Sequence, residues 1–328
     1  MAPVLLLTLL LSVLLCGAYL RLARRWQILD LPNARSSHQL PTPHGGGAAL
    51  LLAFAVGMLV ASQWYGPWGR DYIVSAGLAM LLVILGIVDD LLGLSVRLRF
   101  SLYGLSCLLL VGWVLPLPVF AAPLPDVALV LVLVLAVLWL VNLYNFMDGI
   151  DGIAAIQCAL ACAGAALLSN GAGGGQYSLF CLLLAASQLG FLVWNWPPAR
   201  LFMGDAGSVP TGFLLAALAL LGYAQAELNP ACWLVLLALF ITDASWTLCW
   251  RMLTGQPFTQ AHRLHAYQRL SRHWHSHLRV DLLLIAINAL WLIPLAAAVQ
   301  YYPQEAFFLV ILAYLPLLAG MAKMRLLA

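Results

Sequence analysis

Charge is what this sequence has least of, since 8% of its 328 residues are charged and 64% are hydrophobic. A soluble domain typically carries about 25% charged residues, so water is not the solvent for most of this surface. No basic stripe with interleaved aromatic residues is present, and nucleic acid is therefore not an expected partner. The composition predicts an all-α, polytopic integral membrane protein in contact with membrane lipid.

Three further signals are missing. The seven cysteines lie in apolar runs without a Cys-x-x-Cys pair, so we interpret them as small packing residues. No Lys or Arg precedes the first apolar run, whereas a signal peptide begins with positive charge, so this run is interpreted as a retained helix. The glycines at 45–47 lack the Lys-Ser/Thr of a P-loop.

Long apolar runs are what the sequence has in abundance. A helix needs about 20 apolar residues to cross ~30 Å of hydrocarbon. This length predicts about eleven transmembrane helices, with ten as the alternative count, in a single membrane domain over 1–328, without sheet. The predicted spans are 2–20, 47–65, 72–88, 100–117, 127–143, 153–169, 177–194, 208–224, 231–250, 281–300 and 306–322.

The basic residues predict the orientation. Fourteen of the fifteen Lys and Arg residues fall on one side if the N-terminus is outside and the C-terminus is cytosolic. The positive-inside rule favours this arrangement. The cytosolic loops are then 21–46, 89–99, 144–152, 195–207 and 251–280.

Aspartates gather on the same predicted face. Six of the ten lie in cytosolic loops or at helix ends: Asp30, Asp89, Asp90, Asp148, Asp151 and Asp205. Carboxylates at a membrane edge are costly and are functional candidates. Converging carboxylates repel one another unless a cation neutralises them, and oxygen ligands favour Mg²⁺ or Mn²⁺. Because Mg²⁺ commonly binds substrate phosphates as well, the pattern indicates phosphate chemistry at the membrane surface.

Each motif also has a plainer interpretation. Asp89 and Asp90 would point about 100° apart on a helix, or simply end a span. Asp148 and Asp151, three residues apart, would share a helical face in a segment with no basic residue. Asp205 could be a helix N-cap.

Other polar residues also leave alternatives open. His262 and His265, also three apart, would share a helical face beside Arg263, which offers a phosphate-binding fork. Asp243, inside a span, could make a helix–helix hydrogen bond or belong to a site. The alternating histidines of the segment 273–277 are similar to a metal-binding tract, but we interpret this segment as amphipathic and interfacial.

These motifs together resemble a known family. Asp30 to His38, Pro41 to Gly47, Asp89-Asp90, Asn145-Phe-Met-Asp-Gly-Ile-Asp-Gly152, Phe202-Met-Gly-Asp-Ala-Gly-Ser208 and His262 to His265 occur in this order over about residues 28–270. In this order they resemble the polyprenyl-phosphate N-acetylhexosamine-1-phosphate transferases, glycosyltransferase family 4.

The resemblance implies a reaction. A UDP-N-acetylhexosamine donates its sugar-1-phosphate to undecaprenyl phosphate in the bacterial inner membrane, UMP is released, and Mg²⁺ is the cofactor. Mn²⁺ is expected to substitute for it. The sequence does not define the oligomeric state, and a homodimer is compatible with it.

The resemblance also implies roles for residues. Asp205 would bind Mg²⁺ on the diphosphate. Asp89 and Asp90 would lie near the lipid phosphate as base, as nucleophile or as metal partner, with Asp90 the expected second metal ligand. Asp148, Asp151 and Asn145 would contact the nucleotide or phosphates, and Asn195 and Phe202 would hold uracil. His262, Arg263 and His265 would handle the diphosphate and the sugar, with the two histidines as catalytic residues. Asn33, Arg35 and His38 are the remaining expected substrate-binding residues.

One departure from the family pattern bears on the donor. Relatives often have His-x-His-His where this chain has His262-Arg-Leu-His265. The local sequence resembles the branch that initiates lipopolysaccharide O-antigen, which uses UDP-GlcNAc or 6-deoxy relatives such as UDP-FucNAc and UDP-QuiNAc. Two alternatives stay open: a phospho-MurNAc-pentapeptide or wall-polymer transferase of the same superfamily, and, from another class, an ion transporter.

Overall fold

The computed structural model describes residues 1–31, 40–115, 126–170, 175–256 and 262–324. Its first half begins with α1 and a two-residue antiparallel ladder of β1 and β2, followed by five long helices. These elements are α1 Ala2–Arg25, β1 Leu29–Asp30, β2 Thr42–Pro43, α2 Gly46–Tyr65, α3 Arg70–Leu92, α4 Val96–Val114, α5 Asp126–Met147 and α6 Ile153–Leu168. The ladder pairs Leu29 with Pro43 and Asp30 with Thr42, and it corrects the expectation of no strand pairing.

The second half is also helical. Its elements are α7 Gln176–Asn195, α8 Asp205–Ala224, α9 Pro230–Leu236, α10 Ala238–Leu253, α11 Ala266–Trp274, α12 His277–Ile287, a π-helical turn Asn288–Leu292, α13 Ile293–Tyr301, a 3₁₀ turn Pro303–Glu305 and α14 Ala306–Met324. The chain is therefore an all-α polytopic membrane protein. Among the described residues, nine helices are long and apolar enough to cross a membrane, or ten if the bent α9–α10 pair is one span. Helix α6, with 16 residues, is apolar but shorter than these, and it corresponds to the span predicted over 153–169.

The span predicted over 231–250 is wrong as a single straight helix, because α9 and α10 meet at a 71° bend. A bend frees backbone carbonyls, and these need partners where water is scarce. The Gln157 side chain on α6 donates to the Leu236 carbonyl over 2.8 Å and accepts from Asn288 over 3.0 Å. Side chains from two other helices therefore stabilise the break.

Helices α7 and α8 lie at the centre of the bundle. In the apolar stretch of 18 residues that represents each helix, 72% of α7 and 83% of α8 is buried. The corresponding share is 17% for the segment that contains α14. The peripheral helices expose leucine and phenylalanine side chains such as Leu14, Leu59, Leu290 and Phe307. Apolar side chains face outward because lipid, and not water, is the solvent there.

Glycines bring three helices together at one end of α8. A Cβ on Gly47 of α2 would lie 2.1 Å from the Gly207 Cα, and one on Gly86 of α3 would lie 2.5 Å from the Ala206 Cα. Small residues allow helix backbones in membranes to approach this closely. The first turns of α2 and α8 and the last two turns of α3 consequently meet, and this junction positions the polar residues described next.

Candidate active site

Asp205, the first residue of α8, lies among polar side chains from two other helices. Its carboxyl accepts a hydrogen bond from Asn145 Nδ2 of α5 over 2.9 Å and lies 3.4 Å from Arg99 Nη1 of α4. Asn145 Nδ2 also donates to Ser208 Oγ over 2.8 Å. Gly204 is the N-cap, so Asp205 is not the capping residue, and its negative charge lies in the first turn, where the helix dipole favours it.

Arg99 is a site residue that the sequence reasoning missed. Its Nη1 lies 2.5 Å from Asp89 Oδ2, so one guanidinium contacts both Asp89 and Asp205. The other Asp89 oxygen accepts from the Leu94 amide over 2.8 Å. The available signal in the sequence was a basic residue ten positions after Asp89, in the same predicted cytosolic loop.

Asp90 occupies the next position of α3 and faces a different neighbour. Its Oδ2 lies 3.8 Å from His44 Nδ1, just before α2. A Cβ on Gly204 would lie 3.8 Å from the same oxygen. The prediction that the two aspartates point in different directions on a helix is therefore confirmed. His44 is a second neighbour of the site to which the sequence gave no role.

Asp148 lies just beyond the end of α5, near Asp205. Burial, together with the charges of Asp205 and Asp151, raises the pKa of its carboxyl from 3.8 to about 7. No side-chain hydrogen bond to this carboxyl is formed within the described part of the chain. The expectation that Asp148 and Asp151 share a helical face is wrong, because 148–152 forms a turn between α5 and α6.

Asp151 points into a different environment. Its Oδ2 accepts from the Ala199 amide over 3.0 Å and lies 3.1 Å from His277 Nδ1. The interpretation of 273–277 as an interfacial segment stays a prediction, and the structure adds that His277 begins α12 and contacts the 148–152 turn. Asp151 thus joins three separate segments of the chain.

Asn195 and Phe202 also make contacts that connect segments. Asn195 is buried, accepts from the Gly152 amide over 2.9 Å and donates to the Leu201 carbonyl over 2.9 Å. The Phe202 backbone accepts from Gly46 over 2.9 Å and donates to Pro43 over 2.8 Å. Their role in holding uracil stays a prediction, and the structure adds a positional role for each.

His262, Arg263 and His265 precede α11 and are not helical, so the expected shared helical face is wrong. The rings of the two histidines nevertheless stack, with centroids 4.9 Å apart. Burial, with the nearby charges of His265 and Arg251, lowers the pKa of His262 from 6.5 to about 4. Within the described ranges, no hydrogen bond joins either histidine to Asp89, Asp90 or Asp205.

The predicted substrate-binding residues Asn33, Arg35 and His38 lie outside the described residues. Among the residues that are described, no group of three or more His, Cys, Asp or Glu side chains is arranged to hold a metal by itself. Two carboxylates are nevertheless enough for Mg²⁺ when substrate phosphates complete its ligands. Asp205 and Asp90 interact electrostatically and flank Gly204, so the donor set suits a cation that arrives with phosphate.

Comparison with known proteins defines the class. Residues 72–223 match the glycosyl transferase family 4. The chain is 30% identical over 273 residues, 81% of its length and 75% of the relative, to a Bacillus subtilis protein named probable undecaprenyl-phosphate N-acetylglucosaminyl 1-phosphate transferase. It is also 30% identical over 299 residues (80% and 75%) to the decaprenyl-phosphate N-acetylglucosaminephosphotransferase of Mycobacterium leprae.

A shorter match connects the chain to another branch. It is 37% identical over 232 residues, 64% of this chain and 66% of the relative, to a phospho-N-acetylmuramoyl-pentapeptide-transferase of Synechococcus. The chain belongs to the polyprenyl-phosphate hexosamine-1-phosphate transferase family. It is thus a membrane-embedded sugar-phosphate transferase.

Proposed function

We propose that this chain transfers an N-acetylhexosamine-1-phosphate from a UDP-sugar to undecaprenyl phosphate and releases UMP. The donor would be UDP-GlcNAc or a 6-deoxy relative such as UDP-FucNAc or UDP-QuiNAc. The product would initiate lipopolysaccharide O-antigen or a related glycan. The observation that carries the proposal is the convergence of Asp89, Asp90, Asn145, Asp148 and Asp205, with Arg99, from four helices at one end of the bundle.

This arrangement suits the transfer of a phosphoryl group between two anions. An oxygen of the lipid phosphate bonds to the phosphorus next to the sugar, and the bond from that phosphorus to the bridging oxygen breaks, so UMP leaves with that oxygen. Such a reaction needs alignment and charge neutralisation more than covalent help from the protein. Arg99 can supply positive charge beside the carboxylates, while Asn145 and Ser208 fix the orientation of Asp205.

Asp205 and Asp90 would hold Mg²⁺, which supplies neutralising charge to the diphosphate when it is bound. The electrostatic coupling of Asp148 to Asp205 supports a cation in this region, since burial and repulsion between carboxylates raise the Asp148 pKa to about 7. His44 lies beside Asp90 and would contact the lipid phosphate if Asp90 is on the acceptor side of the site.

The membrane setting follows from the same reasoning. We infer that the site faces the cytosol of a bacterial inner membrane, because that orientation puts fourteen of fifteen basic residues inside. The carboxylates of the site lie at helix ends, which suits a lipid acceptor whose phosphate is at the bilayer edge. A transporter would place such residues near the midplane in broken helices.

The test is purified protein in vesicles that contain undecaprenyl phosphate, supplied with Mg²⁺ and one UDP-sugar at a time. We expect UMP release together with a lipid-linked diphosphate sugar for at least one of UDP-GlcNAc, UDP-FucNAc and UDP-QuiNAc. Vesicles without the lipid acceptor are the control. Failure to release UMP with every donor, in protein whose melting transition shows that it is folded, would refute the proposal.

The match to a phospho-N-acetylmuramoyl-pentapeptide-transferase favours a fourth donor in the panel, UDP-MurNAc-pentapeptide. Turnover with this donor alone would assign the chain to the wall-precursor branch. We expect it to be inactive here, because the segment 262–265 lacks the additional histidine of that branch's pattern.

A further inference from the structure

Asp243 is a buried carboxylate inside α10 whose oxygens accept hydrogen bonds from the start of α11 and, at Oδ1, also from Thr247 Oγ1 of its own helix over 3.2 Å. Only 1% of the residue is exposed. Oδ1 accepts from the Ala266 amide over 2.9 Å, and Oδ2 accepts from the Tyr267 amide over 3.0 Å. These are the first two residues of α11, whose amides have no partner within the helix. A buried charge is tolerated only when it is paired and hydrogen-bonded in this way.

The same carboxylate contacts the ring of His265. Oδ1 lies 3.2 Å from His265 Nδ1, and the ring is 5% exposed. An ionised carboxylate at this distance requires a proton on Nδ1, which leaves Nε2 as the second ring nitrogen, able to accept a proton or a hydrogen bond. The ring also stacks with two other rings, and its centroid lies 4.9 Å from that of His262 and 5.7 Å from that of Tyr267. Its tautomer and its plane are therefore both set by neighbours.

The start of α11 is in turn attached to the segment that carries Asp148. The Tyr267 hydroxyl donates to the Phe146 carbonyl over 3.0 Å. Gly149 lies so close that a Cβ there would be 2.1 Å from the same hydroxyl. Asp243 thus holds His265 and, through Tyr267, sets the distance between the histidine segment and the turn after α5.

We propose that Asp243 is a positioning residue that keeps His265 in the Nδ1-protonated form, so that Nε2 serves the diphosphate of the donor. This deepens the proposed function and rests on it. Asp243 itself touches no reacting atom, and its effect on turnover passes through His265. A role in folding alone would stabilise the helix start without any dependence on the imidazole.

Asp243→Asn is the sharpest change, because an amide keeps the shape but offers one acceptor where the carboxylate offers two. With the NH₂ group in the position of Oδ1, the amide would face the Nδ1–H of His265, and this would favour the opposite tautomer of the ring. We expect kcat to fall by about 100-fold while KM for undecaprenyl phosphate changes by less than about 3-fold. The control is Ser245→Ala on the same helix, whose hydroxyl accepts from the Trp139 indole on α5 over 3.2 Å, and we expect wild-type kcat for it.

A double-mutant cycle separates positioning from folding. In the His265→Ala background, Asp243→Asn should reduce kcat by no more than about 3-fold, because residues that act as a unit are non-additive. A full 100-fold further loss in that background would overturn the proposal, since Asp243 would then act without His265.

Nitrogen NMR of histidine-labelled protein provides a readout that needs no turnover. The His265 signal, identified by its loss in His265→Ala, should show a protonated Nδ1 and an unprotonated Nε2 at pH 8 in the wild type. The reverse tautomer would refute the inference even if Asp243→Asn failed to fold. Because this spectrum does not require substrate, failure of the inference is distinguishable from failure of the proposed transferase activity.

Discussion

Two groups of aspartates in this protein differ in what their oxygens contact. Asp151 and Asp243 accept hydrogen bonds from backbone amides and lie beside a histidine each. Asp90 and Asp148 have no amide partner within the described ranges, and both lie near other carboxylates, with His44 also beside Asp90. The first group joins segments of the chain, whereas the second group has unused ligand capacity and unbalanced charge.

Asp205 and Asp89 lie between these extremes, since Arg99 contacts both. The hydrogen-bond donors around a carboxylate therefore say more about its role than its place in a sequence motif does. Carboxylates satisfied by backbone amides are expected to act on structure, and those facing other carboxylates are expected to act on a cation or phosphate. The following changes test that division.

The largest effect is expected from Asp205→Asn. We expect UMP release to fall by about 1,000-fold, because the change removes a charge from the proposed Mg²⁺ site. Steady-state assays at limiting and saturating Mg²⁺ measure the effect. The control is Asp71→Asn, because Asp71 lies in the first turn of α3, at the end of that helix away from Asp89 and Asp90. Wild-type activity of Asp205→Asn at limiting Mg²⁺ would show that this carboxylate is not the metal ligand.

Arg99→Ala should cost about 100-fold in kcat/KM, because Asp89 and Asp205 would then lose their shared guanidinium. Arg97→Ala is a matched control, since Arg97 lies two residues earlier on the same helix and is exposed. Equal losses in the two variants would mean that general positive charge, and not the contact with both carboxylates, is what matters.

His277→Ala should reduce turnover by about 10-fold, because Asp151 would keep the Ala199 amide but lose the contact that joins α12 to the 148–152 turn. Asp151→Asn should have a similar effect, and the double variant should be no worse than either single change. Turnover assays with His273→Ala as the exposed control check this. Multiplying losses would argue that Asp151 acts directly on substrate.

The smallest effect concerns stability and pH at Asp148. Its pKa is raised from 3.8 to about 7 in the folded protein, so the folded state holds a proton that the unfolded chain releases near pH 4. Stability is then lost as the pH rises through about 7. Thermal melts without divalent cations should show that Asp148→Asn narrows the difference in Tm between pH 5 and pH 8 by about 2–4 °C. Identical pH dependence in both proteins would contradict this environment for Asp148.

Parts of this picture could be predicted from the sequence because they depend on local properties. Apolar runs predicted the helices, since hydrophobic length and internal backbone hydrogen bonding decide what crosses a bilayer. The bend between α9 and α10 could not be predicted this way, because Gln157 and Asn288, far away in the chain, stabilise it. The helical interpretation of 148–151 and 262–265 failed because spacing alone does not distinguish a helix from a turn.

The sequence by itself determined the solvent of this protein, the approximate number of its helices and the family to which it belongs, because composition, run length and motif order are properties of the chain. Only the tertiary structure decided which groups surround each carboxylate. Asp205 meets Arg99 across 106 positions, and Asp151 meets His277 across 126. A carboxylate's chemistry depends on which donors reach its oxygens, and in this chain the packing of glycine-lined helices brings those donors together.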